Sequence, residues 1–430
     1  MMKTNRRQFL NKSALSVGAC LIVKPSTLGL GDSVAPNERV QIGTIGVGGK
    51  GLGNQRGLAR DERVAITAVC DVDANHRKKA AQEANLPDSA AYNDFRELLE
   101  RKDVDAVMIA TPDHWHSITA ISAAQAGKDL YCEKPLTSSI GEGRAVCESV
   151  IKNNVVLQCG TWRRSGAQTR TACERVRNGY IGELKHVDVG VPGEFMIRGG
   201  YKGTEAPEAV PPQLDYAFWQ GPAKPAPYTA ARVHFNFRWV NDYAPGYITD
   251  WGAHFIDVVQ WAMGMDHAGP TEVEVKSQTR RKAGIYDAPE GFHIDYRYPN
   301  GVSMTMKAEV DKNKWGIKFI GSEGWIFSEN KKLEASHPSL VEGDLKDDEI
   351  RLYESNDHYR NFIDCIHSRK PTAAPVEAAH RAATACYLGA IAAETQTALI
   401  YDQKSERFTN SEAANQMWQR ELYGGWSLPS

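Results

Sequence analysis

The sequence predicts a two-part fold of class α/β plus α+β. An N-terminal unit carries a parallel sheet with helices on both faces. A C-terminal unit is built on an open antiparallel sheet. Three observations predict this. Residues 38–160 alternate short β-type runs with helical stretches. Residues 270–330 carry β-type runs joined by tight turns. Residues 190–247 are rich in Gly, Pro and aromatics with little periodicity, the composition of a binding loop or lid.

The first strand begins at Val40 and runs into Gly46, Gly48 and Gly51, a G-x-G-x-x-G turn that also holds Gly49. A helical stretch and a second apolar run, Val64–Cys70, follow. Asp71 closes that run, 20 residues past Gly51. Strand, glycine turn, helix, strand and terminal acid make a dinucleotide-binding unit. The glycines let the backbone turn tightly and approach a pyrophosphate at the helix N-terminus. The Asp71 carboxylate then accepts from an adenosine ribose. It repels a 2′-phosphate, so NAD is favoured over NADP unless nearby Lys50 offsets it.

Val104–Ala110 is a buried strand by its near-continuous apolar character. Ile118–Ala126 is a small-residue helix ending at Gly127, and Asp129–Glu133 is the next strand. Gly141–Lys152 is helical and Val155–Cys159 is a strand again. Ligands of parallel sheets sit at the carboxyl ends of the strands. Thr111-Pro112-Asp113-His114-Trp115-His116 and Glu133-Lys134-Pro135 follow strands, so both belong beside the cofactor.

In the second unit, Gln168–Asn178 is a helix stopped by Gly179. Gly291–Tyr298 and Val302–Glu309 flank an Asn-Gly turn and form a hairpin. Lys314–Ile320 and Trp325–Phe327 form another. Residues 357–369 and 376–397 are helices, the second Ala-rich with an apolar face to pack on one of the domains. The expected division is 1–36 leader and linker, 38–160 dinucleotide domain, 161–345 substrate domain, and 346–430 helices and tail packing back.

The leader carries Arg6-Arg7 before Phe9-Leu10 and an apolar run, Ala14–Val23, too short to span a bilayer. This is the pattern of a twin-arginine export signal, which predicts the twin-arginine machinery as a partner and a periplasmic or exported location. Val17-Gly18-Ala19-Cys20 resembles a lipoprotein cleavage site, so membrane attachment would run through Cys20 alone. Net charge is −2, with no basic run or aromatic-basic interleaving, which argues against nucleic acid. The 8 cysteines form neither zinc spacing nor a disulfide scaffold, so no metal is expected.

Asp250 and His254 are four apart and would share one helix face. Oxidising an alcohol requires loss of a hydride and of a proton, and histidine titrates in the useful range. Asp250 would orient the imidazole, stabilise its charge, or bind substrate hydroxyls. Lys134 would stabilise a developing alkoxide or share the proton. His116 would touch nicotinamide ribose or substrate, while His114 and Trp115 would cap or pack. Arg163 and Arg164 would meet a hydroxylated or acidic ligand or lie in a solvated loop. Tyr216, Trp219, Tyr243 and Tyr247 would stack on a sugar face or plug the core.

The glycine triplet, Thr111-Pro112, Glu133-Lys134-Pro135 and Asp250-x-x-x-His254 together resemble the Gfo/Idh/MocA oxidoreductases. Phe218-Trp219-Gln220-Gly221-Pro222, Arg238-Trp239 and Ala414-Asn415 resemble a secreted bacterial branch of that family. The resemblance implies a Rossmann domain and a larger open antiparallel sheet that forms the substrate pocket and often a dimer or tetramer interface. It implies a cis bond at Lys134-Pro135, with Lys134 at the nicotinamide, Asp250 on substrate and His254 as acid/base. The implied function is an exported, NAD-dependent oxidoreductase acting on a secondary alcohol of a sugar, glycoside or polyol, with cofactor tightly retained. Two alternatives stand beside it. One is a redox-neutral NAD-dependent glycosidase or lyase working through a transient 3-keto sugar. The other is a non-catalytic sugar-binding protein on a dinucleotide fold.

Overall fold

The computed structural model describes residues 38–430. Arg6, Arg7 and Cys20 lie outside the described residues. The first sheet is entirely parallel. Its strands are β1 (Val40–Ile45), β2 (Val64–Cys70), β3 (Ala91–Tyr92), β4 (Ala106–Ile109), β5 (Asp129–Cys132) and β6 (Leu157–Cys159). Their spatial order is β3-β2-β1-β4-β5-β6. The order reverses beside β1, so the crevice opens where β1 and β4 end. β4 and β5 are buried at every position, as their apolar runs require of a sheet covered on both faces.

The second sheet has nine strands. They are β7 (Leu184–Pro192), β8 (Glu272–Thr279), β9 (Gly291–Arg297), β10 (Ser303–Glu309), β11 (Gly316–Gly321), β12 (Trp325–Glu329), β13 (Lys332–Ala335), β14 (Leu399–Asp402) and β15 (Arg407–Phe408). The order is β13-β12-β11-β7-β10-β9-β8-β14-β15. Both predicted hairpins form, with β9 pairing β10 and β11 pairing β12 antiparallel. One pair, β7 with β10, is parallel. The architecture is therefore a parallel sheet followed by a mostly antiparallel one, as the sequence predicts.

Three local expectations change. β7 runs into the stretch read as irregular, because from Val189 to Pro192 it is buried at every position and so shows no two-residue period there. The region 346–430 adds β14 and β15 to the second sheet, strands too short to show a period. The Ala-rich helix Val376–Thr395 packs on both domains rather than one. Its Ala379 and Ala383 enter the core of the first sheet, while Ala385–Ala393 enter that of the second. Such a helix is buried almost all round, which only small side chains permit between two layers.

Further contacts lock the two sheets together. Ala74 donates its N–H to Gln213 and Asp215 donates to Val72, at 2.8 and 3.0 Å, around an Asp73–Leu214 bridge. The chain after 416 returns to the first domain. Arg420 donates to the fully buried Glu142 carboxylate at 2.9 Å, and Trp426 stacks on Phe218 at 5.7 Å. The seven described cysteines are all free and buried, behaving as small core residues. No helix among the described residues is long and apolar enough to cross a membrane.

A charged network ties the Ala-rich helix to helix Ile140–Lys152. Arg144 grips both Glu377 oxygens at 2.9 Å and Glu406 at 2.7 Å, while His380 meets Glu406 at 3.1 Å. Burial pushes both carboxyls up. Arg144 on Glu377, and His380 with Arg144 on Glu406, outweigh it and hold both at about 2. Depressed carboxylates contribute stability that is complete above their ordinary value of 4.5 and is lost as pH falls through about 2. Arg144→Met is expected to cost about 1–2 kcal/mol at neutral pH, since it removes the cation shared by Glu377 and the buried Glu406 and leaves only Arg381 and His380 to pair with them. Urea unfolding across a pH series should show that deficit shrinking below pH 4.5.

Candidate active site

The glycine turn is built by close approach. Gly46 adopts φ +77°, and a Cβ there would sit 2.6 Å from the Thr111 nitrogen. A Cβ on Gly51 would lie 1.8 Å from the Gly46 carbonyl oxygen, so helix Gly49–Leu58 presses directly on the turn. A Cβ on Gly49 would meet nothing within 4 Å. The helix has no side-chain cap at Gly48 and no acid in its first turn. Its leading N–H groups therefore face open space, the arrangement that receives an anion. Asp71 flanks the turn, accepting from Val47 N–H at 2.8 Å and from Asp73 N–H at 2.9 Å. These residues fit a dinucleotide, with the pyrophosphate over Gly49 and a ribose toward Asp71.

Lys50 turns away from Asp71. Its ammonium lies 3.4 Å from Glu133, so it does not offset the acid at the ribose end. His76 does approach Asp71, at 3.7 Å, and the attraction of that carboxylate for the protonated ring raises its pKa. His234 arrives from the second domain, its ring 5.0 Å from His76 and its Nε2 3.7 Å from Asp73. Asp73, His76 and His234 bring ligand-type atoms within 4.8 Å of one another. No sequence spacing joins them, because two domains supply them.

At the other end of the crevice, Lys134-Pro135 is cis, as the resemblance implies. His116 braces it rather than facing a ligand. Its Nδ1 lies 2.7 Å from the Pro135 carbonyl and its Nε2 3.0 Å from that of Thr111, and the ring is buried. It ties the Thr111-Pro112 loop to the Lys134 loop. Glu133 is also an internal brace, accepting from Asn54 at 2.8 Å, which in turn accepts from Tyr359. The Thr111 hydroxyl is buried with no protein partner among the described residues.

Lys134 crosses to the second domain. It donates to the Asp250 carbonyl and to the Asp250 carboxylate, both at 2.6 Å. An ammonium has three donors, so one N–H is left for a substrate oxygen. Arg238 meets the same carboxylate at 3.3 Å. Burial pushes the Asp250 carboxyl up, but Lys134 and Arg238 outweigh it and leave it below the ordinary range. The helix expected through Asp250 and His254 is two pieces, Tyr247–Asp250 and Gly252–Met263, joined at Trp251. His254 nevertheless stays in the Lys134 neighbourhood. Burial first, then the charges of Lys134 and Arg163, drive its pKa well below 6.5. The imidazole is thus neutral, and its Nδ1 is sealed without a protein partner. Asp113, from the Thr111–His116 stretch expected beside the cofactor, joins the group. Burial pushes it up to about 7 against the pull of Arg238 and Lys134.

The remaining expected contacts fall elsewhere. Tyr247 is 2 % exposed, with its ring packed against Trp239 and its hydroxyl accepting from Met196 N–H at 3.1 Å. It plugs the core in place of stacking on a sugar. Tyr216, Trp219 and Tyr243 are likewise buried, and His114 and Trp115 pack against the Trp219 carbonyl. Arg164 is sealed between Asp257 and Asp266. Arg163 is buried near His254 but already paired with Glu329 at 3.0 Å.

A parallel sheet with this cradle, joined to a large open sheet, defines a dinucleotide-binding protein. Two family models cover nearly the whole described chain. One, described as oxidoreductase family, NAD-binding Rossmann fold, matches 40–161. The other, oxidoreductase family, C-terminal alpha/beta domain, matches 166–428. The chain belongs to the Gfo/Idh/MocA oxidoreductase family. It is similar to a glycosyl hydrolase family 109 protein of Shewanella pealeana, 31% identical over 43% of this chain and 45% of the relative. It is also similar to inositol 2-dehydrogenase of Salmonella typhimurium, 31% identical over 41% of this chain and 50% of the relative. The chain thus spans half or less of the length of these curated relatives. Among solved structures, a levoglucosan dehydrogenase in complex with NADH and levoglucosan superposes with TM-score 0.63. That likeness is 17% in identity and covers 84% of this chain and 99% of the other, showing the shared fold.

Gly51→Ala sets a methyl against backbone rather than a movable side chain. It is expected to weaken NAD binding by about tenfold to a hundredfold and to lower the melting temperature. Gly49→Ala, facing open space, should retain the melting temperature while weakening binding. Calorimetric titration and thermal denaturation check both.

Proposed function

We propose that this protein is an exported NAD-dependent oxidoreductase acting on a secondary alcohol of a sugar, glycoside or polyol. The observation that carries the reading is Lys134 bonded to Asp250, beside a neutral His254, at the mouth of the dinucleotide cradle. When bound, the nicotinamide accepts or returns the hydride of the carbinol carbon. The protein's own groups do the rest. His254 takes the hydroxyl proton, which a neutral imidazole is able to do. The third N–H of Lys134 holds the same oxygen as negative charge grows on it. Asp250 fixes the ammonium and Arg238 shares its charge, so the oxygen meets a region of net positive potential. Asp71, which Lys50 does not neutralise, favours NAD over NADP.

The test is direct. Sugars and polyols are added to the purified protein while reduced-nicotinamide absorbance is recorded, and denatured protein is assayed for released dinucleotide. Turnover by the wild type, with Lys134→Met lowered about 100- to 1000-fold, supports the reading. His254→Asn should lower oxidation about 100-fold or more. Because the His254 pKa is depressed, the acid limb of kcat/KM should fall below pH 6.5 and vanish in His254→Asn. A silent panel with no bound dinucleotide would refute the assignment.

The similarity to glycosyl hydrolase family 109 proteins favours one second reading. In it the hydride removed from the sugar is returned after the glycosidic bond breaks. Release of aglycone without net NADH selects that cycle. Export rests on Arg6-Arg7 and the apolar run behind them. Replacing both arginines by lysine should leave the protein in the cytoplasmic fraction. Periplasmic recovery of that variant would remove the export proposal. An open sheet face further supports a homodimer or homotetramer, read by light scattering.

A further inference from the structure

Beyond the hydride site, the second domain holds an aromatic patch that the proposed chemistry does not use. Most large rings of this domain, such as Trp219, Trp239 and Trp261, are buried. Trp162, Trp251 and Trp315 are instead partly exposed. They come from three separate places: the helical turn Trp162–Ser165, the junction after Asp250, and the loop before β11. A chain of contacts that begins at His254 joins them, passing beneath the surface through the buried Arg163 and Phe255. The Trp162 ring meets His254 edge-on at 5.9 Å. The Arg163 guanidinium lies over Trp162 at 5.1 Å and over Phe255 at 4.6 Å. Phe255 contacts Trp251 at 5.7 Å, and Trp251 meets Trp315 at 5.6 Å.

Polar groups accompany the rings. Arg163 pairs with Glu329 at 3.0 Å, and its Nε is buried with no protein partner among the described residues. The Trp315 indole N–H is fixed on the Glu309 carbonyl at 2.8 Å, which holds that ring in place without filling the core. Flat apolar rings beside a guanidinium–carboxylate pair suit a sugar. The rings cover its C–H face, and the partly exposed Glu329 carboxylate, held in place by the buried Arg163, takes its hydroxyls. Trp162, Trp251 and Trp315 keep part of their surface open, unlike Trp219, Trp239 and Trp261.

We propose that Trp162, Trp251 and Trp315, with Arg163 and Glu329, form a second sugar subsite next to the reacting ring. The preferred substrate is then a glycoside or oligosaccharide of at least two rings. This rests on the reading of the hydride site as a sugar site.

The experiment uses the full chain with its dinucleotide. Glucose and galactose are compared with maltose, cellobiose and lactose, by calorimetric titration and, where turnover occurs, by kcat/KM. At least one disaccharide is expected to bind about tenfold more tightly than its monosaccharide. Trp315→Ala should erase about tenfold of that preference and Trp315→Phe should restore most of it. Trp162→Leu supplies the same readout if Trp315→Ala does not fold. Equal binding of both sugar classes, no binding of either, or a loss in the variants that leaves the ratio unchanged overturns the subsite. Retained disaccharide preference without any nicotinamide reduction would sink the hydride reading while leaving the subsite standing.

Discussion

The pairing of Lys134 with Asp250 is the constraint on which the arrangement of the site depends. The lysine leaves the end of β5 in the first sheet, and the aspartate ends a short helix packed on the second. Their 2.6 Å contact fixes where the two halves of the site stand relative to each other. Both side chains are largely withdrawn from water, so such a pair carries a desolvation cost close to its Coulombic gain. Its value lies in placement. One carboxylate shared by Lys134 and Arg238 leaves an excess of positive charge at the site, while burial, then the charges of Lys134 and Arg163, keep His254 neutral. Proton acceptor and anion-stabilising cation are thus set by one electrostatic arrangement rather than tuned separately.

That arrangement survives because the two sheets are not free to slide. The Ala-rich helix feeds both cores, and the 72–74 segment bonds the 213–215 segment directly beside Asp71. His116 performs a similar service within the first domain, tying the Thr111 loop to the Lys134 loop through two backbone carbonyls. A histidine in a crevice motif is here a brace for the residue that faces the ligand. Burial accounts for the assignment: the ring is sealed and neutral, and its single N–H is taken by one of the two carbonyls, so it has no donor left for a substrate.

Much of this was legible before any coordinates. The glycine turn is readable because Gly46 and Gly51 occupy places where a Cβ collides with backbone, and no other residue type satisfies that. The Asn-Gly hairpin is readable because its turn chemistry is local. Lys134 is readable because it ends a buried strand. What sequence hides is pairing between distant segments. Arg238, Asp113 and Asp250 converge only after folding, and Asp73, His76 and His234 meet from opposite domains. Tyr247 misleads for a related reason. An aromatic beside glycine and proline has the same local signature whether it stacks on a ligand or, as here, on Trp239.

The returning C-terminal segment carries a consequence for the first domain. Arg420 neutralises Glu142, a carboxylate with no exposure at all, from 278 residues further along the chain. Without that segment the first domain offers Glu142 only the neutral donors of Ser117, Ser138 and Ser139, and the Phe218 ring loses its stacking partner. The nucleotide domain therefore reaches its full set of contacts only when the segment around Arg420 and Trp426 has been added to it.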